Sequence, residues 1–397
     1  MSKCLIVLDH SFRLNSLLVK TACDNYDQVS FVYPSNWYWS FAARSLYKTT
    51  NISMHKEALN HFACSLKEKL NADLYILKSA QPEKDIQEYC QKNKIDKVLY
   101  DMPLFGKDSL DIKKVCLEVI DSDSYDPSCL KMTAKSRWVY WAKNRKDIQE
   151  VKFDHKTIKS FGGLGEVYQT DKVLYEKTES YIKSLWQRVE EKILTYYTTR
   201  NMRNGSTQIS TALHHGLIDA RQLTHILLSL APDFIEKDNV LVPLLRQLAF
   251  REISILKARS KNMSMFDTAE QWSKTLLDKA SQDNLQENTF QPEFSKKELF
   301  NGQTNNPLLN AEVLSCKEKR WMPNRLRMWF AGECYWGLGG GYQSLETLVQ
   351  FFNEHTDDAQ SPNNYISCVE SMRLKYGKVM RFNEKRTFRL IEGKEII

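Results

Sequence analysis

No CxxC pair occurs among the nine cysteines, which stand at 4, 23, 64, 90, 116, 129, 316, 334 and 368. Their odd number and irregular spacing exclude a disulfide framework and fit reduced thiols in a cytoplasmic protein. No apolar run approaches the roughly 20 residues that a membrane-spanning helix needs, so no membrane partner is expected. The opening MSKCLIVLDHSF holds only five consecutive apolar residues, which suits a strand and not a signal peptide. The DHSFRLNS that follows this strand has no GxGxxG, so the usual dinucleotide loop is missing. GLGGG at 337–341 lacks the Lys-Ser/Thr of a phosphate-binding loop and reads as a flexible turn between helices. HExxH, a Ser-His-Asp order and a paired Cys/His set are all missing, which leaves hydrolase and metalloenzyme readings without support. His214 and His215 are adjacent, and adjacent helical side chains diverge by about 100°, which disfavours one metal between them. A large excess of charge of one sign is also lacking, although charged residues are an ordinary 26% of the chain. A net +7 over 397 residues permits a nucleic acid or an anionic cofactor without demanding one.

What is present is alternation. The runs 4–9 (CLIVLD), 29–34 (VSFVYP), 73–79 (DLYILKS) and 97–102 (KVLYDM) suit strands buried on both faces. Helical patterns lie between them at 54–70, 82–94 and 107–120. Strands alternating with helices predict a parallel, doubly wound α/β domain over 1–125, with ligand space at the C-terminal strand ends. WYW at 37–39 suits either packing against a neighbouring domain or stacking on a flat cofactor. Residues 126–170 read as an interdomain connector that closes on KSFGGLGE. Over 171–397 the helical period dominates. Tyr181, Leu185, Val189 and Ile193 recur every four residues, and 220–231, 241–258, 268–279, 323–336 and 344–354 read as helices. The polar stretch 281–306 reads as a loop, and the last twenty residues as a small hairpin or extended tail. The predicted class is α/β plus α.

Three stretches carry candidate chemistry. GSTQIS, 205–210, offers hydroxyls and backbone N–H groups before a helical pattern, which suits either a phosphate or a simple N-cap. LLRQLAFREI, 244–253, sets Arg251 and Glu252 among apolar residues, as a surface ion pair or as partly buried groups. RWMPNRLRMWF, 320–330, sets Asn324, Arg325 and Arg327 among Trp, Met and Phe, which points to donors held near a buried partner.

These pieces share an order with a known family. TRN…GSTQISTALHHGLIDARQL (199–223), LLRQLAFREI, TNNPLLNA (304–311) and RWMPNRLRM (320–328) resemble successive motifs of the cryptochrome/photolyase family, with some features of its DASH branch. The resemblance runs over most of 171–370 and implies FAD in the helical domain. By motif match it implies Tyr196 near the cofactor and Ser206, Thr207, Gln208, Ile209 and Ser210 around its diphosphate and ribitol. Arg251 falls at a phosphate-holding position, and Asn324 and Arg327 fall beside the adenine and the isoalloxazine.

The departures carry expectations of their own. The carboxylate pair that meets Arg327 becomes His355 and Asp357, and Ser361 stands where an Asn faces the flavin, with Asn363 or Asn364 as replacements if the loop shifts. The electron chain becomes Tyr342, Tyr365 and Leu299 or Phe300. Gln247 and Phe250 replace the Glu and Trp of the lesion pocket and Ser367 a second Trp, while Asn324, Arg325 and Met328 remain. The implied activity is photoexcited electron transfer from reduced FAD to a cyclobutane pyrimidine dimer, with Gln247, Phe250, Arg325 and Met328 on the DNA. The second reading is a cryptochrome-like blue-light receptor without repair. Expected partners are damaged DNA, single-stranded DNA included, and a folate or deazaflavin antenna beside Trp37 or Trp39. A monomer is expected.

Overall fold

The computed structural model describes residues 2–8, 12–35, 50–101, 112, 116–120, 159–199, 205–229, 241–264, 267–277, 282, 291–359 and 361–377. The WYW of 37–39, the C-terminal twenty residues and most of the 126–170 stretch lie outside them. The chain forms two compact units. One comprises 1–187 with 209–239, and the other 188–208 with 240–397.

The first unit is built on a seven-stranded sheet. Strands β1 (Lys3–Val7), β2 (Gln28–Pro34), β3 (Leu74–Leu77), β4 (Lys97–Asp101) and β5 (Leu117–Ile120) run parallel in the order β5-β4-β1-β2-β3. Helices α1 (Leu17–Asn25), α2 (Thr50–Leu70) and α3 (Pro82–Asn93) make the successive crossovers. Cys4 to Leu8 are fully buried, which is why the first strand reads as an unbroken apolar run. Local signals mark the helix ends: Ser16 Oγ accepts from Val19 N at 3.2 Å, and Pro82 opens α3.

Two expectations fail at the edges of this sheet. The 107–120 pattern does not continue as a helix, because its end is strand β5, in register with β4 from Val98↔Leu117 to Asp101↔Ile120. Pairing along an open sheet edge has overridden a short, ambiguous apolar run. The KSFGGLGE stretch adds two short strands, β6 (Lys159–Ser160) parallel to β2 and β7 (Glu166–Val167) antiparallel to β3.

Helix α4 (Lys172–Ile193) shows the expected four-residue period, with Leu185, Val189 and Ile193 buried. Its N-terminal part is fastened to α2. Asn60 donates to the Asp171 carbonyl at 2.7 Å and accepts from the Asp171 N–H at 2.8 Å. Glu57 pairs with Lys177 at 2.8 Å, and His61 meets Glu179 at 2.6 Å. After α5 (Tyr196–Thr199), the predicted pattern past 210 divides into α6 (Ser210–His214) and α7 (Ala220–Ser229), interrupted where Gly216 takes φ 66°.

The second unit is helical: α8 (Val242–Ser260), α9 (Ala269–Leu276), α10 (Lys296–Asn301), α11 (Pro307–Lys319), α12 (Asn324–Gly337), α13 (Gly341–His355) and α14 (Pro362–Gly377). Helices α8, α9, α12 and α13 all pack on α14. Helix α10 lies inside the stretch read as a loop. Its signal is a capping box, Ser295 with Glu298, each side chain bonded to the other's backbone N–H. Between α12 and α13 the GLGGG run does form the turn. Gly339, Gly340 and Gly341 take φ of 93°, 77° and 71°, a succession that side-chain-bearing residues avoid. Phe330, Phe351 and Phe352 fill the core beneath it, with Phe330 and Phe351 centroids 4.8 Å apart. These two units give the α/β-plus-α class that the sequence predicts.

Candidate functional site

Pro323, with φ fixed at −57°, is the N-cap of α12 and not its first residue. That start places Asn324 in the exposed first turn and turns Arg327 inward. The Arg327 guanidinium donates through Nε to the Met322 carbonyl at 3.0 Å, through Nη2 to Asp358 Oδ1 at 2.5 Å and through Nη1 to Asn364 Oδ1 at 3.5 Å. It also lies 5.7 Å from the centroid of the Phe352 ring. Asp358 and Asn364 are buried, and Asn364 Nδ2 has no hydrogen-bond partner among the described residues. Ser361 stands at the back of this turn and donates to the Asp358 carbonyl at 3.3 Å.

The expected pairing of Arg327 with Asp357 is therefore corrected. Asp357 turns to the end of α11, where Arg320 Nε meets its Oδ1 at 3.2 Å. His355, the expected carboxylate substitute, packs its ring against Phe351 and Phe300 at centroid distances of 4.8 and 5.6 Å. Its carbonyl accepts from Cys316 Sγ at 3.4 Å, and burial raises that thiol to about 12. In the turn after α13 the two adjacent acids thus meet two different arginines. The sequence shows two adjacent acids and two arginines seven residues apart, but not which acid meets which arginine.

The GSTQIS loop is held from α4. Gly205 lies so close to α5 that a Cβ would sit 1.8 Å from the Thr199 carbonyl oxygen. Ser206 Oγ accepts from the Gln208 N–H at 3.2 Å, Thr207 is buried, and Gln208 adopts φ 57°. Arg188 Nη1 donates to Gln208 Oε1 at 2.9 Å, and Lys192 Nζ to the Ser206 carbonyl at 3.2 Å. The simple N-cap reading does not hold. The cap of α6 is Ile209, without a side-chain bond, and Ser210 is the first helical residue. Tyr196 is buried at the start of α5.

On α8, Arg251 and Glu252 are both buried, in favour of the buried alternative over a surface pair. Gln247 and Phe250, three residues apart on that helix, are half-buried, as is Met328 on α12. The side chain of Arg325 lies outside the described ones. Tyr365 is buried and accepts from Asn353 Nδ2 at 3.0 Å. Its ring faces Trp272, an aromatic that the motifs had not singled out, at a centroid distance of 4.7 Å. Tyr342 is half-buried, Leu299 belongs to the core, and Phe300 meets Phe351 edge-on at 5.4 Å.

His214 and His215 pack ring against ring at 4.7 Å, and His215 lies 6.3 Å from His55, which bonds Tyr33 Oη at 2.7 Å. Burial, then the neighbouring His215, pushes the His55 pKa well below the usual imidazole range. Among the described residues no group of three His, Cys, Asp or Glu could hold a metal ion. No described helix is long and apolar enough to cross a membrane.

A doubly wound parallel sheet followed by a helical unit is an architecture found in solved proteins. The chain is similar to the cryptochrome of Synechocystis sp. PCC6803, with a TM-score of 0.68 and 15% identity over 99% of this chain and 86% of that one. It is also similar to the bacterial class III photolyase of Agrobacterium tumefaciens, with a TM-score of 0.65 and 14% identity over 93% and 79%. No family model matches the sequence, and no curated protein matches it. The chain has the cryptochrome/photolyase fold.

Proposed function

We propose that the protein is a FAD-dependent, photolyase-like electron-transfer protein that acts on cyclobutane pyrimidine dimers in DNA. The observation that carries this reading is the Arg327–Asp358–Asn364 cluster. A guanidinium and a carboxamide are fixed there beside the Phe352 ring, and the carboxamide nitrogen has a proton to give. That donor set fits the acceptor edge of an isoalloxazine ring. Arg327 and Asn364 would hold this edge, with Asp358 fixing the guanidinium. The Ser206–Gln208 loop, Ile209 and Ser210 would meet the diphosphate and ribitol, and Tyr196 and Arg251 would stand close by. FAD would supply the light-absorbing electron donor. The positive charge of Arg327 would favour the reduced, anionic cofactor. Half-buried Gln247, Phe250 and Met328, with Asn324 and Arg325, would receive the flipped bases through ring stacking and hydrogen bonds. Tyr342 and Tyr365 would carry charge to the cofactor.

The neutral amide of Gln247 favours a second reading, a blue-light receptor without repair. An amide hydrogen-bonds a base but does not stabilise a positive or protonated intermediate as a carboxylate does. A folate or deazaflavin beside Trp37 or Trp39 remains a proposal for residues outside the described set. The test is direct. Purified protein should release flavin on denaturation, and under blue light it should restore dimer-containing DNA, single-stranded or duplex. Flavin with light-dependent redox change but unchanged dimers selects the receptor. Colourless protein rejects both.

A further inference from the structure

We propose that His55 and His215 form an acid-sensitive latch that holds the 209–229 segment against the α/β sheet. His55 lies on α2, His214 is the last residue of α6 and His215 its C-cap, and all three rings are buried. They make one row, with centroids 4.7 Å apart from His214 to His215 and 6.3 Å from His215 to His55. The sheet side of His55 is closed by Phe12, edge-on at 5.0 Å, and by Tyr33 of β2, whose Oη bonds Nε2 at 2.7 Å. His55 thus stands between the sheet and the later segment, and its neutral ring fits both. A proton on either His55 or His215 would put a charge where water is excluded, and a second proton would add repulsion between the two rings. The charges around the row are already matched. Arg13, next to Phe12, and Asp219, four residues after His215, pair with each other at 3.3 Å. On α2 itself, Glu57 pairs with Lys177 at 2.8 Å, and Lys56 is exposed. Acid therefore favours the state in which the segment parts from His55 and the imidazoles meet water.

The latch is independent of any cofactor, since it needs only the histidines and the segment they hold. Opening should become about tenfold more frequent for each pH unit below about 6.5 when one histidine takes up a proton, and about a hundredfold when both do. Hydrogen exchange of the full-length protein, read by peptide at about pH 7.5 and about pH 5.5 and corrected for intrinsic rates, measures this opening. Between the two conditions, protection over 210–229 should fall about tenfold to a hundredfold, while strand β4 keeps its own. H55F/H215F retains two rings of similar shape that take no proton, so its protection over 210–229 should change little. Equal protection of 210–229 at the two pH values in the wild-type protein overturns the inference, whether or not the variant folds. A loss that extends equally to β4 is global unfolding and overturns it as well. So does a loss over 210–229 that is as large in H55F/H215F as in the wild type.

Discussion

Arg320 and Asp357 are joined twice. The Asp357 N–H donates to the Arg320 carbonyl at 3.0 Å, and Arg320 Nε donates to the Asp357 carboxylate at 3.2 Å. A third bond, from Nη1 to the Glu354 carbonyl at 2.6 Å, ties the end of α11 to the end of α13. Arg320 does this from φ 56°, a conformation usually left to glycine. The bonds hold one residue of the turn that presents Asp358, the next one along, to Arg327. R320A should therefore destabilise the protein by about 1–3 kcal/mol, the range for bonds to charged groups. R320G should recover several tenths of that through its φ preference. Urea unfolding of the three proteins checks this, and an R320A variant as stable as wild type refutes the clasp.

Arg327 and Asp358 form a buried pair, with side-chain exposures of 13% and 8%. Removing one partner of such a pair leaves the other charged and desolvated. R327M and D358N should each lose about 3 kcal/mol or more, while R327M/D358L should lose less than their sum. If the flavin lies beside Arg327, removing the cation also makes the reduced anion less stable. The R327M cofactor should then reduce at a more negative potential. An unchanged potential would place the flavin elsewhere without touching the stability argument.

His55 gives a pH dependence of defined sign. Its folded pKa lies below the unfolded value of about 6.5. The unfolded chain thus binds the extra proton first, and stability rises with pH. Stability from neutral His55 is complete above about pH 6.5 and falls by up to about 1.4 kcal/mol per unit as acid drives protonation. H55Q should flatten this slope between about pH 6.5 and 5 in denaturant titrations. An identical slope in both proteins would assign the acid sensitivity to other groups.

The buried strands and the long helices of this protein are legible because one periodicity dominates each. Val29, Phe31 and Val32 read as strand, and Leu185, Val189 and Ile193 as helix, for the same reason that they are buried. Strand β5 is not legible, since its existence depends on the β4 edge beside it and not on its own pattern. At the site, Arg327 and the GSTQIS loop stand out as motifs. Asp358 does not, because which of two adjacent acids faces which arginine is decided by the turn after α13. Arg188 and Lys192 look like solvated helix charges until the loop is seen to fold against them. Trp272 lies outside every motif and meets Tyr365 only through packing.

Gly205 is where loop and helix come closest. Its φ is not in the left-handed region, so its requirement is for space and not for backbone freedom. A Cβ there would stand 1.8 Å from the Thr199 carbonyl oxygen and 2.4 Å from its carbon, and neither backbone atom can swing aside as a flexible side chain would. G205A must push the Ser206–Gln208 loop away from α5, at a cost of about 1–3 kcal/mol for overpacking. The same displacement draws Ser206 from Lys192 and Gln208 from Arg188, two contacts that depend on where the loop lies. G205A should therefore unfold at lower denaturant and, on the proposed cofactor reading, also bind FAD more weakly than wild type, with G205S behaving alike. A variant that loses stability but binds FAD as tightly as wild type would show that the loop's position does not govern cofactor binding.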